Sequence, residues 1–341
     1  MRSLIALITA CSALSAFSAM AQAPAATPDA APDAQSRAMQ RASDAVVGVQ
    51  VKAVEDARSA ATLGRARQGS GVVISDDGLV LTIGYLILEA EQVQLVTDDA
   101  RIVPARVVAY DLATGFGLVR ALVPLKLAPA PLGAASGVVS AEMLMVASGG
   151  EAGSVSAARL LSRRPFSGYW EYHIDGALFT GPPRRDHSGA GLFNDRGELV
   201  GIGSLFVADA MGTDAPRAPG NMFVPIDLLP PILAELIAQG SSRMSTRAWM
   251  GVNCVEVDGT IRVMRVNDDS PADVAGLEVG DRILRIDGVA VARLDQLWKT
   301  LWAGNAAERA VRLDIQRGTQ EQTITVQAVD RAKALRRPQG I

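Results

Sequence analysis

From residue 45 to residue 206 the chain is a succession of short β-rich runs broken by turns, with little helical periodicity, and nothing else in it narrows the available folds as far. Ala45-Val46-Val47-Gly48-Val49-Gln50-Val51 opens the series. Gly71-Val72-Val73-Ile74 and Leu79-Val80-Leu81-Thr82 flank Ser75-Asp76-Asp77-Gly78, whose Asp-Gly pair is a strong hairpin signal. Further strands are expected over 93–96, 103–108, 117–122, 143–147, 157–161, 171–174 and 199–204. Short strands at this spacing predict a mainly β domain, closed as a barrel or stacked as a sandwich.

The texture changes near Pro225. Residues 228–238 are apolar and helix-competent, 239–242 read as a linker, and a compact second unit follows. It should hold strands over 250–255, 260–266, 310–316 and 322–326 and a helix over 294–302. A length of 341 residues accommodates two domains, and 49% hydrophobic with 20% charged residues excludes wholesale disorder. The formal charge of −3 gives no basic footprint for nucleic acid. Neither metal-ligand spacing nor a phosphate-binding glycine loop is present, so no metal or cofactor is expected.

Residues 1–21 read as a signal peptide: Arg2 is positive, 4–17 is an apolar run diluted by Ala and Ser, and Ala19-Met20-Ala21 offers a cleavage site after Ala21. The run falls short of the roughly 20 residues a membrane span needs, and no later stretch is long and apolar enough for one. A lipobox-like Ile8-Thr9-Ala10-Cys11 is the alternative, with lipidation at Cys11. Removal of Cys11 leaves Cys254 alone, unable to form an intramolecular disulfide and best read as a small buried hydrophobe. Residues 22–36 form an Ala/Pro/Asp tether, 37–43 a short helical lead-in, and 332–341 a basic tail. The expected address is the periplasm or the exterior.

The second unit carries Ser270-Pro271-Ala272, Ala275-Gly276-Leu277, Gly280-Asp281-Arg282-Ile283-Leu284 and Asp287-Gly288. Pro271 suits the first turn of a short helix capped by Ser270. This run resembles the signature of the bacterial, protease-associated PDZ domain, over residues 247–331. The resemblance implies that C-terminal peptides add a strand to the sheet edge and place their carboxylate in a backbone nest. It puts that nest at Trp249-Met250-Gly251-Val252, with Leu294, Leu297 and Leu301 lining the side-chain pocket; core packing is the alternative role for these leucines.

Residues 37–239, followed by a linker at 240–246, resemble the trypsin-like, double β-barrel domain of the HtrA/DegP proteases. The motifs are Gly69-Ser70-Gly71-Val72-Val73-Ile74, Asp77-Gly78-Leu79-Val80-Leu81-Thr82, the 105–111 strand, and Phe223-Val224-Pro225-Ile226-Asp227. The run Asp186-His187-Ser188-Gly189-Ala190-Gly191 matches the nucleophile loop, followed by a strand, a polar turn and a second strand. A PDZ unit after such a domain is that family's usual order.

The resemblance makes Ser188 the nucleophile but finds Tyr85 at the position of the base and Gly115 at that of the carboxylate. A serine hydroxyl needs a base to remove its proton and a third group to orient that base. Tyrosine, titrating near 10, is a poor base at neutral pH, and Gly115 can orient nothing. Asp186, where the family has glycine, is expected to bring negative charge towards the oxyanion site. His187 adjoins Ser188 but should diverge from it, His173 belongs to an expected strand, and Asp111 should point elsewhere. A small residue in a tight turn is a sufficient reason for Ser188. These positions predict an HtrA-like protein that binds C-terminal peptides or unfolded proteins through its PDZ unit without cutting them. The resemblance also implies active HtrA-type homologues as partners. The rival readings are a serine endopeptidase with a nonstandard triad and a structural subunit of a mixed oligomer; residues 22–50 contain no Phe, Trp or Tyr of the kind that joins the family's trimers.

Overall fold

The computed structural model describes residues 33–212, 215–304 and 306–336. The expected signal peptide with its Ala21 cleavage site, Cys11, most of the tether and the end of the basic tail lie outside the described residues.

Helix α1 (Ala34–Asp44) begins three residues ahead of the expected lead-in, because the Asp33 carboxylate caps it by accepting from Ser36 N at 2.7 Å. Six antiparallel strands then close the first barrel: β1 (Val46–Ala53), β2 (Ala66–Val73), β3 (Leu79–Ile83), β4 (Ala90–Val96), β5 (Ile102–Tyr110) and β6 (Phe116–Ala121), in the order β1-β2-β3-β6-β5-β4. Two short helices interrupt it, α2 (Ala60–Leu63) and α3 (Gly84–Ile87). The second barrel uses β7 (Met143–Ser148), β8 (Ser154–Ser167), β9 (His173–Gly181), β10 (Gly191–Phe193), β11 (Leu199–Val207) and β12 (Gly220–Pro225), in the order β10-β11-β12-β9-β8-β7. Closure removes the free edges that an open sheet would expose. Phe116, Leu79, Leu81 and Leu118 in the first barrel and Phe179, Phe193, Phe223 and Leu178 in the second are fully buried, within one continuous core.

Helix α4 (Pro230–Gln239) starts on a proline and ends at Gly240, whose left-handed backbone returns its N–H to Leu236 O. The second unit has strands β13 (Ala248–Trp249), β14 (Val252–Val257), β15 (Thr260–Val266), β16 (Arg282–Ile286), β17 (Val289–Ala290), β18 (Arg309–Arg317) and β19 (Gln320–Asp330). A separate core lies under their sheet, ordered β13-β19-β18-β16-β15-β14 with β17 on the side of β16. Helix α5 (Pro271–Val274) has Ser270 Oγ accepting from Asp273 N, the cap anticipated from sequence, and α7 (Arg331–Ala334) follows β19. Helix α6 (Leu294–Leu301) spaces Leu294, Leu297, Trp298 and Leu301 along one face, and that face is buried. The molecule is thus mainly β: a double-barrel domain followed by a PDZ-like sheet and helix unit.

Two expected strands are displaced, for related reasons. The strand expected at 171–174 begins only at His173, because residues 168–172 form the turn of the β8–β9 hairpin. The strand expected at 250–255 begins at Val252, because Gly251, at φ +87°, separates β13 from β14. These two breaks face one another.

Candidate functional site

Ser188 sits on the seam between the barrels. Its carbonyl accepts from Ser70 N of β2 at 2.8 Å, while the next residue, Gly189, donates to Gly203 O of β11 at 2.8 Å. Gly189 is required there: its φ is +74°, and a Cβ would stand 2.0 Å from Ser70 O. The small-residue turn read from sequence is therefore a clamp that both barrels hold.

Tyr85, on α3 at the end of β3, reaches the serine. Its hydroxyl lies 2.7 Å from Ser188 Oγ and 2.8 Å from Ser204 O. A phenol has one proton and a carbonyl can only accept. All three oxygens are satisfied when Tyr85 donates to Ser204 and Ser188 donates to Tyr85. Burial pushes the Tyr85 hydroxyl up to about 12, opposed by the bond from Ser188. The group beside the serine is therefore a neutral phenol, which accepts a hydrogen bond without accepting a proton.

The segment that carries Tyr85 is held by Arg67 of β2, which is 5% exposed. Its guanidinium donates to Tyr85 O at 3.0 Å, Leu88 O at 2.7 Å, Gly64 O at 3.0 Å and Ser59 Oγ at 2.7 Å. Glu89 completes the cluster by accepting from Ser59 N and Oγ and from Arg58 N. Sequence reading missed Arg67, because an arginine in a β-rich run carries no local mark of acceptors as far along the chain as Tyr85 and Leu88. Replacement by methionine should leave three carbonyls without their donor and cost about 3 kcal/mol, read as a lowered urea midpoint.

At the position where the resemblance leads us to expect a carboxylate, Gly115 adopts φ +81° and donates to Asp111 O at 2.8 Å. The Tyr172 hydroxyl stands over it: a Cβ at residue 115 would lie 3.2 Å from that oxygen, which donates to Thr114 O at 2.7 Å. The space beside Gly115 is thus filled by a buried tyrosine. Asp111 is fully buried with Oδ2 accepting from Thr114 N and Oγ1, and burial raises its pKa.

Neither histidine replaces the base. His187 Nδ1 lies 2.9 Å from Arg184 O, which can only accept, so that nitrogen is protonated and turned from Ser188. His173 pairs Nδ1 with Ser167 Oγ at 2.8 Å and Nε2 with Asp175 at 3.2 Å. Asp186 departs from expectation. Its carboxylate bonds Arg184, Ser148 Oγ at 2.5 Å and Ser154 Oγ at 2.9 Å, partners that outweigh its desolvation and lower its pKa to about 2. Its charge is neutralised by Arg184 rather than left free near the serine.

In the second unit, Leu294, Leu297 and Leu301 are 7%, 0% and 0% exposed and belong to its core. Trp249 lies in β13, and Met250, Gly251 and Val252 lead into β14. The amides of Met250 and Gly251 are both directed at the Glu171 carboxylate, at 2.6 and 3.3 Å. Glu171 went unrecognised in the sequence because it lies about 80 positions from its partners. Cys254 is fully buried and unpaired, and burial raises its thiol pKa. Among the described residues no cluster of His, Cys, Asp and Glu could hold a metal ion, and no helix is long and apolar enough to cross a membrane.

The trypsin-like peptidase domain model matches residues 69–202 and the PDZ domain model residues 248–328. The putative serine protease HhoA of Synechocystis sp. is 28% identical over 293 residues, covering 77% of this chain and 70% of that protein. A probable periplasmic serine endoprotease DegP-like of Marinomonas sp. is 30% identical over 295 residues, covering 77% of this chain. One of Ectopseudomonas mendocina is 30% identical over 278 residues, covering 74% of this chain. The chain spans only 57% and 56% of the lengths of these two relatives. Among solved structures, the HtrA-type protease AlgW with a decapeptide has a TM-score of 0.54 at 19% identity, covering 89% of this chain and 99% of its own. The serine endoprotease from Yersinia pestis has a TM-score of 0.52 at 23% identity, covering 88% and 99%. With two barrels meeting at Ser188, a PDZ unit behind them and these relatives, the chain belongs to the HtrA-type family, in which a trypsin-like peptidase domain precedes a PDZ domain.

Proposed function

We propose that this protein is an exported HtrA-type pseudoprotease that binds peptides or unfolded proteins through its PDZ unit and acts as an adaptor or regulator in envelope protein quality control. The observation that carries the reading is the Tyr85 hydroxyl 2.7 Å from Ser188 Oγ, where an imidazole would have to stand. A buried phenol pushed up to about 12 holds its own proton at any physiological pH. Gly115 and the overlying Tyr172 supply no charge to an imidazolium. The PDZ signature, by contrast, is complete, with two nest amides directed at one carboxylate. The periplasmic address rests on the names of the DegP-like relatives and on the signal-like residues 1–21.

The test has two arms on the full chain. Incubation with unfolded casein should yield no more fragments than the Ser188→Ala variant does; clean turnover by the wild type alone would remove the pseudoprotease reading. Fluorescence polarisation against peptides with free C-termini should give saturable binding that the C-terminally amidated peptides lack. Equal binding of both forms would sink the PDZ assignment.

A further inference from the structure

The turn of the β8–β9 hairpin lies in the groove where a PDZ ligand would lie. Four contacts set its register against β14 and α6. Glu171 accepts from the Met250 and Gly251 amides. Trp170 pairs antiparallel with Asn253. Cys254 N donates to Tyr169 O at 2.6 Å. Trp298 Nε1, on α6, donates to Gly168 O at 3.0 Å. Read from 168 to 171, the segment runs antiparallel to β14 and ends on the nest, the direction in which a C-terminal peptide augments such an edge. β14 is an edge strand of its sheet, so this segment covers backbone that the sheet leaves unpaired.

Glu171 is the decisive residue. An internal segment has no terminal carboxylate to offer, but a glutamate side chain carries the same group on a short tether. The residue is almost wholly buried, at 5% exposure. Neighbours fix the segment from outside the groove. Arg331 donates to Glu171 O at 3.3 Å, and Trp170 stacks on Tyr172 with ring centroids 5.7 Å apart. Tyr172 also covers Gly115, so one hairpin turn fills both the carboxylate position of the peptidase domain and the peptide site of the PDZ unit.

We propose that Gly168–Glu171 is a built-in ligand of the PDZ groove, with the Glu171 side chain in place of a peptide's C-terminal carboxylate, so that an outside peptide enters only by displacing it. Displacement rests on the peptide-binding reading above; occupancy does not. The outside competitor is therefore a chain with a free terminal carboxylate, matched against the same two amides.

Two measurements on the full chain keep these ideas apart. Amide hydrogen exchange at Met250, Gly251 and Cys254, without peptide, reads occupancy. Binding of fluorescein-labelled decapeptides with free or amidated C-termini reads displacement. The variants are Glu171→Ala, which removes both acceptor oxygens whatever their charge, and Trp298→Phe, which removes the donor to Gly168 and trims a buried ring; far-UV circular dichroism confirms that each is folded. The expected result is slow exchange in the wild type, at least tenfold faster exchange at Met250 and Gly251 in Glu171→Ala, and at least tenfold tighter binding of the free-carboxylate peptides by that variant. Fast exchange at all three amides in the wild type overturns the built-in ligand, whatever the peptides do. Peptides that bind the wild type and Glu171→Ala equally overturn the competition while leaving peptide binding in place. Accelerated exchange with no peptide binding by any variant upholds occupancy and removes the outside ligand.

Discussion

Fluorophosphonate treatment of the purified protein is expected to label it no more than it labels the Ser188→Ala variant. Loss of a general base lowers serine reactivity by on the order of 10⁴-fold or more. The oxygen beside Ser188 Oγ is a neutral phenol already committed to Ser204 O. Restoring chemistry should also be difficult. Tyr85→His supplies an imidazole that is shorter than the phenol it replaces, so its outer nitrogen falls short of Ser188 while Arg67 holds the segment in place. We expect that variant to gain less than about a hundredfold in labelling, because no third group orients the ring. Adding Gly115→Asp should not help. The backbone there is at φ +81°, the new Cβ meets the Tyr172 hydroxyl, and stability should fall by about 1 kcal/mol. Labelling of the wild type at the level of an active HtrA-type protease would overturn this account of Ser188.

The second large effect concerns pH. Burial pushes the Glu171 carboxyl up to about 7, against the Met250, Gly251 and Val252 amides and Arg331, which pull it down. Released into solvent it returns towards its ordinary 4.5. The docked form therefore binds the proton more tightly than the released form. Its advantage is fully present below pH 4.5 and is lost as pH rises through about 7. A free-carboxylate peptide should bind the wild type more tightly at pH 8 than at pH 5, by on the order of tenfold to a hundredfold. Other titratable groups lie close by. Arg331 donates to Glu171 O, and burial raises the Cys254 thiol above its ordinary value. His173, with its pKa lowered by burial, sits against Asp175, which also pairs with Lys299. Glu171→Ala leaves that cluster intact, so the difference between the two pH profiles isolates Glu171. Parallel profiles for wild type and variant would contradict the assignment.

Much of the fold was legible in the order of residues. Strand 260–266 matches β15, the strands expected at 79–82 and 143–147 fall within β3 and β7, and the one expected at 45–51 begins one residue later, at Val46 of β1. Period-two alternation and turn residues are local properties, so they survive without knowledge of partners. The Ser270 cap and the α6 face were readable on the same ground. The errors fell where distant chain intervenes. Glu171 was assigned to a strand and lies in a turn, drawn out by two amides of the other unit. Asp186 was expected to leave its charge near Ser188, and Arg184, Ser148 and Ser154 take it instead.

The sequence alone supplied a mainly β pattern and the motifs whose resemblance to a known family singled out Ser188, Tyr85 and Gly115. Only the tertiary structure decided that the phenol reaches the serine and that the Met250 and Gly251 amides meet the Glu171 carboxylate. Both contacts join residues about 80 to 100 positions apart. A hydrogen bond between such residues depends on the packed geometry of whole domains, to which no short stretch of sequence gives access.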